Sequence, residues 1–186
     1  MTARSERLVW VDLEMTGLDP LRCKIIQIAT LVTDSDLNLV AEGPNLVCHA
    51  TEEELTSLSD WSRDMFTKSG LLAAVRASKV TRADAERSTL EFLKTHVTQG
   101  SSPLCGNSVW NDRQFLWHGM RAVHDFVHYR NIDVSSFKEV VRRWYPGDYS
   151  PPPKKNLHDA LADIHESVEE LRYYRRAFIG PRPSTA

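Results

Sequence analysis

Two carboxylates, Asp12 and Glu14, stand two positions apart in Trp10-Val11-Asp12-Leu13-Glu14. The stretch is apolar enough to be a buried sheet strand. Side chains alternate along a strand, so both acids project from one face, ~6.6 Å apart along it. That is too far for one hydrogen-bonded acid pair, yet both could reach a metal centre lying between them. The plainer alternative is that they mark where a buried strand emerges into water, and their spacing does not decide between the two.

A second group, His158-Asp159-Ala160-Leu161-Ala162-Asp163, opens the last helical segment. In continuous helix His158 and Asp163 would point about 140° apart. They converge only if His158 lies in the lead-in, which the Pro-rich stretch before it permits. A histidine satisfying a helix end and an aspartate complementing the dipole would give the same sequence. Asp112 is the third candidate, in Gly106-Asn107-Ser108-Val109-Trp110-Asn111-Asp112. This is a strand-to-helix transition whose free N–H groups suit a phosphate and where an aspartate could equally serve as a cap.

The elements that must position these residues follow from periodicity. Leu8 to Glu14, Lys24 to Val32 and Leu37 to Val47 read as a three-stranded meander, with turns at Thr16-Gly17-Leu18-Asp19-Pro20 and Asp34-Ser35-Asp36. From Thr51 to Val97 the period becomes helical, ending in a helix over Thr81 to Val97. Pro103 to Gly106 reads as a short strand, Val109 to Val123 as a helix and Ile132 to Val134 as a further short strand. A helix over Ser135 to Trp144 follows, with Ser135 as its cap. Pro146 to Lys155, containing Pro151-Pro152-Pro153, reads as a surface loop, and a final helix runs from about Asp159 to Ala177. The implied architecture is α/β, with a mixed five-stranded sheet, antiparallel meander on one side and parallel strands on the other, flanked by helices. It is one domain over residues 8–178, with flexible segments at 1–7 and 179–186.

Composition narrows the function. The 186 residues carry 23 Lys plus Arg against 25 Asp plus Glu, a net charge of −2. No basic field holds a long polyanion, so any nucleic-acid contact must be local. Cys23, Cys48 and Cys105 suit neither a disulfide framework nor a zinc knuckle and read as buried reduced thiols of a cytoplasmic protein. No apolar run approaches the ~18 residues of a membrane span, and no membrane association is expected. His124-Asp125-Phe126-Val127-His128 lacks the glutamate of a metalloprotease motif, and no nucleophile elbow, P-loop or dinucleotide fingerprint occurs.

Taken in order, Val11-Asp12-Leu13-Glu14-Met15-Thr16-Gly17-Leu18, Gly106-Asn107-Ser108 leading to Asp112, and His158-x-Ala160-x-x-Asp163-Ile164 resemble the three motifs of the DEDDh exonucleases. More narrowly, Leu8 to Phe178 is similar throughout to the oligoribonuclease family. The similarity includes Lys24-Ile25-Ile26-Gln27-Ile28-Ala29-Thr30-Leu31-Val32, Ala41-Glu42-Gly43-Pro44 and Leu171-Arg172-Tyr173-Tyr174-Arg175. Ala162 and the loop Pro146 to Asn156 depart from the family pattern. The resemblance implies a ribonuclease H-like fold and removal of mononucleotides from the 3′ end of very short RNA, dinucleotides above all. It implies that Asp12 bridges two Mg²⁺ or Mn²⁺ ions, that Glu14 and Asp163 hold the ion carrying the attacking water, that Asp112 supports the second site, and that His158 takes the proton from that water. Carboxylates without thiolates suit such hard ions rather than zinc. It further implies that Leu18 wedges against a base and Trp61 stacks on one, that Ser108, Arg130 and Ser135 cap the 5′ phosphate, and that Tyr129 comes from the second subunit of a homodimer. Read without the resemblance, Trp61 is nearly as well placed as a core aromatic, and Arg130 as an ordinary surface cation.

Overall fold

The computed structural model describes residues 3–147, 151 and 159–180. Five strands, β1 (Leu8–Met15), β2 (Ile25–Thr33), β3 (Leu39–Val47), β4 (Leu104–Gly106) and β5 (Asn131–Asp133), form one sheet in the order β3-β2-β1-β4-β5. The first three pair antiparallel, and β1, β4 and β5 run parallel, giving the expected mixed sheet. Every residue of β2 is buried, as its unbroken apolar and β-branched run requires of a strand covered on both faces.

Alternation along β1 sorts its side chains between two cores. Val9, Val11 and Leu13 pack with Leu93 of α3 (Arg82–His96), Phe115 and Leu116 of α4 (Val109–Gly119), and Val123 and Phe126 of α5 (Arg121–Phe126). Trp10 turns to the other face, against Val134 and Val141 of α6 (Val134–Trp144) and Ala160, Ile164, Val168 and Leu171 of α7 (Ala160–Tyr174). Asp12 and Glu14 are in phase with Trp10 and so share the α7 side of the sheet. A third cluster joins Ile26 of β2 to Phe66 of α1 (Asp60–Lys68) and Leu71, Leu72 and Val75 of α2 (Leu71–Ala77).

Three sequence expectations are corrected. The single helix over Val109 to Val123 is two helices, broken at buried Met120. The new N-terminus is capped from outside, the Ala122 N–H donating to Glu86 of α3 at 2.6 Å. The cap of α6 is Asp133, whose carboxylate accepts from the Ser135 N–H at 3.0 Å, because the helix begins one residue earlier than predicted. The last α-helix ends at Tyr174 and continues as a π turn over Arg175–Ile179. At the other end, Arg4–Glu6 form a 3₁₀ turn, with Arg4 and Arg7 donating to the carbonyls of Lys94 and His96 at the end of α3. Cys23, Cys48 and Cys105 are free and buried, as expected. Most of the loop predicted over Pro146 to Lys155 lies outside the described residues. Among those residues no helix is long and apolar enough to cross a membrane.

Candidate active site

The site is assembled where β1 runs out beyond its parallel neighbour. β4 ends at Gly106, opposite Asp133 of β5. Gly106 is required there, since a Cβ would stand 2.9 Å from the Val11 carbonyl oxygen. Past that point the β1 edge has no strand partner on the β4 side, and the Leu13 N–H is taken instead by the Asp112 side chain, donating to Oδ1 at 3.1 Å. Asp112 lies in the first turn of α4 and is 6% exposed. Its carboxylate fills the hydrogen-bonding position that a longer β4 would occupy, and it also accepts from its own backbone N–H in that first turn.

Three other carboxylates meet on the α7 side. Asp12 and Glu14 from β1 and Asp163 from the first turn of α7 each offer an oxygen within 4.8 Å of the others. Asp159 caps α7 by accepting from the Ala162 N–H at 3.0 Å, so Asp163 enters the site within the opening turn. Burial raises the Glu14 pKa to about 8, and Asp163, Asp112 and Asp159 push in the same direction. Burial likewise holds Asp112 above the ordinary carboxylate range, partly offset by its backbone hydrogen bonds. A half-buried group of hard oxygen donors whose ionisation is opposed by its own neighbours fits a divalent cation such as Mg²⁺ or Mn²⁺, which would offset that repulsion. His158 lies outside the described residues.

The predicted substrate residues fall into three sets. Leu18 and Trp61 are exposed, 80% and 68%. This sets aside the core reading of Trp61. The turn carrying Leu18 is fastened to the segment before α1: the N–H of buried Thr16 donates to the Lys24 carbonyl, and its hydroxyl oxygen accepts from the Lys24 N–H at 3.0 Å and from Ser57 Oγ at 2.8 Å. Ser108 and Ser135 are brought together at the β4 and β5 ends. The Ser108 N–H, the Ser135 N–H and Ser135 Oγ all donate to Asp133 Oδ1, at 2.9, 3.0 and 2.6 Å. Ser108 adopts a left-handed backbone, φ 51°, which turns its hydroxyl to within 3.5 Å of Ser135 Oγ.

Tyr129 and Arg130 form the third set. They precede β5, whereas Asp133 and the serines lie at its C-terminal end. Both are exposed, the Arg130 guanidinium lies 5.5 Å from the Tyr129 ring centre, and Arg113 of α4 holds the segment by donating to the His128 and Arg130 carbonyls. Sequence reasoning missed Asp133, which organises both serines; an aspartate directly before a helix is the signal that could have found it.

Residues 9–171 match the family described as Exonuclease. The oligoribonuclease of Bordetella pertussis is 50% identical over 175 residues, 94% of this chain and 97% of its own, and that of Photobacterium profundum is 51% identical over the same coverage. Among solved structures, Escherichia coli exonuclease I in complex with a dT13 oligonucleotide superposes with a TM-score of 0.72 at 14% identity, over 92% of this chain and 41% of that one. Exonuclease I of Methylocaldum szegediense gives 0.70 at 18% identity, over 93% and 41%. The chain thus spans about two-fifths of the exonuclease I chains, and that likeness bears on the fold, which is ribonuclease H-like. With half its residues identical over nearly the full length of these relatives, the chain belongs to the oligoribonuclease family of exonucleases and is a nuclease.

Proposed function

We propose that this protein is a 3′-to-5′ exoribonuclease that hydrolyses very short RNA, dinucleotides above all, to nucleoside 5′-monophosphates, acting as a homodimer with two Mg²⁺ or Mn²⁺ ions per active site. The observation that carries this is the meeting of Asp12, Glu14 and Asp163 within 4.8 Å, with Asp112 bound to the same strand. A pair of divalent ions supplies charge stabilisation at the attacking and leaving oxygens of a phosphodiester and lowers the pKa of a bound water. Asp12, Glu14 and Asp163 would hold those ions, and Asp112 would support the second of them from its buried position. His158 would accept the proton of the attacking water at an imidazole nitrogen.

Substrate length would be set by few contacts. Leu18 and Trp61 engage about two bases, since a base stacks on an aromatic face with little sequence preference. Ser108 and Ser135 face the 5′ phosphate, and Arg130 with Tyr129, the latter from the second subunit, would close the pocket around it. Trp110, Trp117 and Tyr129 are exposed on the α4–β5 side, with the Arg121 guanidinium over the Trp117 ring. This aromatic surface supports a subunit contact there. The chain's charge of −2 supports local rather than track-like binding, and its free, buried cysteines support a cytoplasmic setting.

The test is turnover of 5′-labelled RNAs of graded length with and without EDTA. Cleavage that is fastest on dinucleotides and abolished by EDTA is expected. A DEDDh exonuclease acting on longer single-stranded DNA is the competing reading, favoured by the dT13-bound neighbour of the same fold. Equal turnover of two- and ten-nucleotide substrates at limiting enzyme would select it.

A further inference from the structure

Glu170 is a carboxyl group 3% exposed on α7 that the proposed chemistry does not use. It accepts from the Tyr174 hydroxyl at 2.8 Å and from Asn107 Nδ2 at 3.2 Å. The same Asn107 nitrogen donates to Ser167 Oγ at 2.9 Å, and Ser167 Oγ donates to the Asp163 carbonyl at 2.8 Å. Asp163, Ser167, Glu170 and Tyr174 are spaced by four, three and four residues and form one stripe of α7. Ala160, Ile164, Val168 and Leu171 form the neighbouring apolar stripe, which is buried in the core.

The apolar stripe fixes which side of α7 meets the sheet, but hydrophobic contact is non-directional and resists small rotations weakly. A rotation of about 20° carries a side-chain tip ~5–6 Å from the axis through about 2 Å. That would open a carboxylate group whose oxygens now lie within 4.8 Å. Hydrogen bonds are directional and can hold the angle. Asn107 is well placed to supply one, because it follows Gly106, whose backbone is fixed against Val11 on the strand that carries Asp12. Two acceptors, Ser167 Oγ and Glu170 Oε2, settle which end of the Asn107 amide faces the helix.

We propose that Asn107 is a positioning residue for Asp163: oriented by buried Glu170, its amide brackets Ser167 and sets the rotation of α7 that turns Asp163 toward Asp12 and Glu14. The proposal rests on the reading of those three carboxylates as metal ligands. Loss of such an outer partner typically weakens metal binding about 10- to 100-fold.

The experiment is calorimetric titration of the metal-free protein with Mn²⁺, without substrate, for wild type, Asn107→Ala, Ser167→Ala, their double variant, Tyr174→Phe and Asp163→Ala. Each of the first two single variants should raise the Mn²⁺ Kd by about 10- to 100-fold, and the double variant should be no worse than the more severe single, since both break one path. Tyr174→Phe removes a partner of Glu170 without cutting the bracket. It should lower the melting temperature while leaving the Mn²⁺ Kd within about threefold, whereas a merely structural network would move both together. Should Asn107→Ala not fold, Ser167→Ala, nearly isosteric and favourable in a helix, decides alone. Wild-type Kd values in Ser167→Ala and Asn107→Ala, or strictly additive effects, alongside lost binding in Asp163→Ala, would overturn the positioning role only. Unchanged Mn²⁺ binding in Asp163→Ala would overturn the underlying metal reading as well.

Discussion

The Leu13 N–H donates to Asp112 Oδ1 at 3.1 Å, joining β1 to the first turn of α4, 99 residues further along the chain. Asp112 is thus an edge partner of β1 whose charge also acts on Glu14, and its proposed role is to support a metal ion. The two roles separate by substitution. Asp112→Asn keeps an acceptor for Leu13 and removes the charge, so it should fold with an unchanged or higher melting temperature in EDTA and lose activity by orders of magnitude. Asp112→Ala leaves the Leu13 donor unmet, at a cost of about 1–3 kcal/mol. For a chain of this size that lowers the melting temperature by several degrees. Thermal melts and turnover measured side by side decide it, and near wild-type activity in Asp112→Asn would refute the catalytic role.

The Glu14 carboxyl predicts a pH dependence of metal binding. Its pKa in the fold is about 8 against an ordinary value of 4.5, so the protonated form is favoured by folding. Its contribution to stability is fully present below about 4.5 and is lost as pH rises through about 8. A cation needs the deprotonated carboxylate, so binding between these limits releases a proton and tightens with rising pH. Melts in EDTA and in Mn²⁺ from pH 5.5 to 8.5 should show stabilisation by metal growing with pH, and Glu14→Gln should flatten that growth. A metal-induced shift independent of pH in the wild type would contradict the assignment.

His158 is expected to act as general base and must be unprotonated to do so. The rate should therefore rise with pH through its pKa, ordinarily ~6.5, and then level off. His158→Ala should lose about 10²- to 10⁴-fold in turnover while binding Mn²⁺ with wild-type affinity. A variant with the wild-type rate and pH profile would reduce His158 to a helix-end partner.

The 5′-phosphate pocket is predicted to depend on charge and on dimerisation. Arg130→Ala should weaken a 5′-phosphorylated dinucleotide by about 10- to 100-fold, the size of one lost charge-assisted hydrogen bond, and leave an unphosphorylated one nearly unaffected. Mixing Tyr129→Ala with Asp12→Ala protein should restore part of the activity that each lacks, through hybrid dimers with one intact site. Additive, unrestored activity in the mixture would place Tyr129 outside the partner's site.

Local rules in the sequence determined the sheet strands, the mixed topology and the shared face of Asp12 and Glu14, because alternation along a strand is a property of the strand itself. The order of the acidic motifs and the start of the last helix near Asp159 were legible too, since helical periodicity is local, while the structure makes Asp159 the cap of that helix. Tertiary structure alone decided what could not be written within a few residues. The break at Met120 depends on Glu86 reaching over from α3 to cap α5, and the gathering of Ser108 and Ser135 depends on Asp133 at the end of a neighbouring strand. Asp112 reads locally as a helix-start residue and becomes a partner of Leu13 only because β4 stops at Gly106 and leaves that edge open. Asn107 and Glu170, 63 residues apart, meet only when α7 lies across the parallel strands. In each case a polar group met a partner from another element of the fold, and the packing of those elements brought the two together.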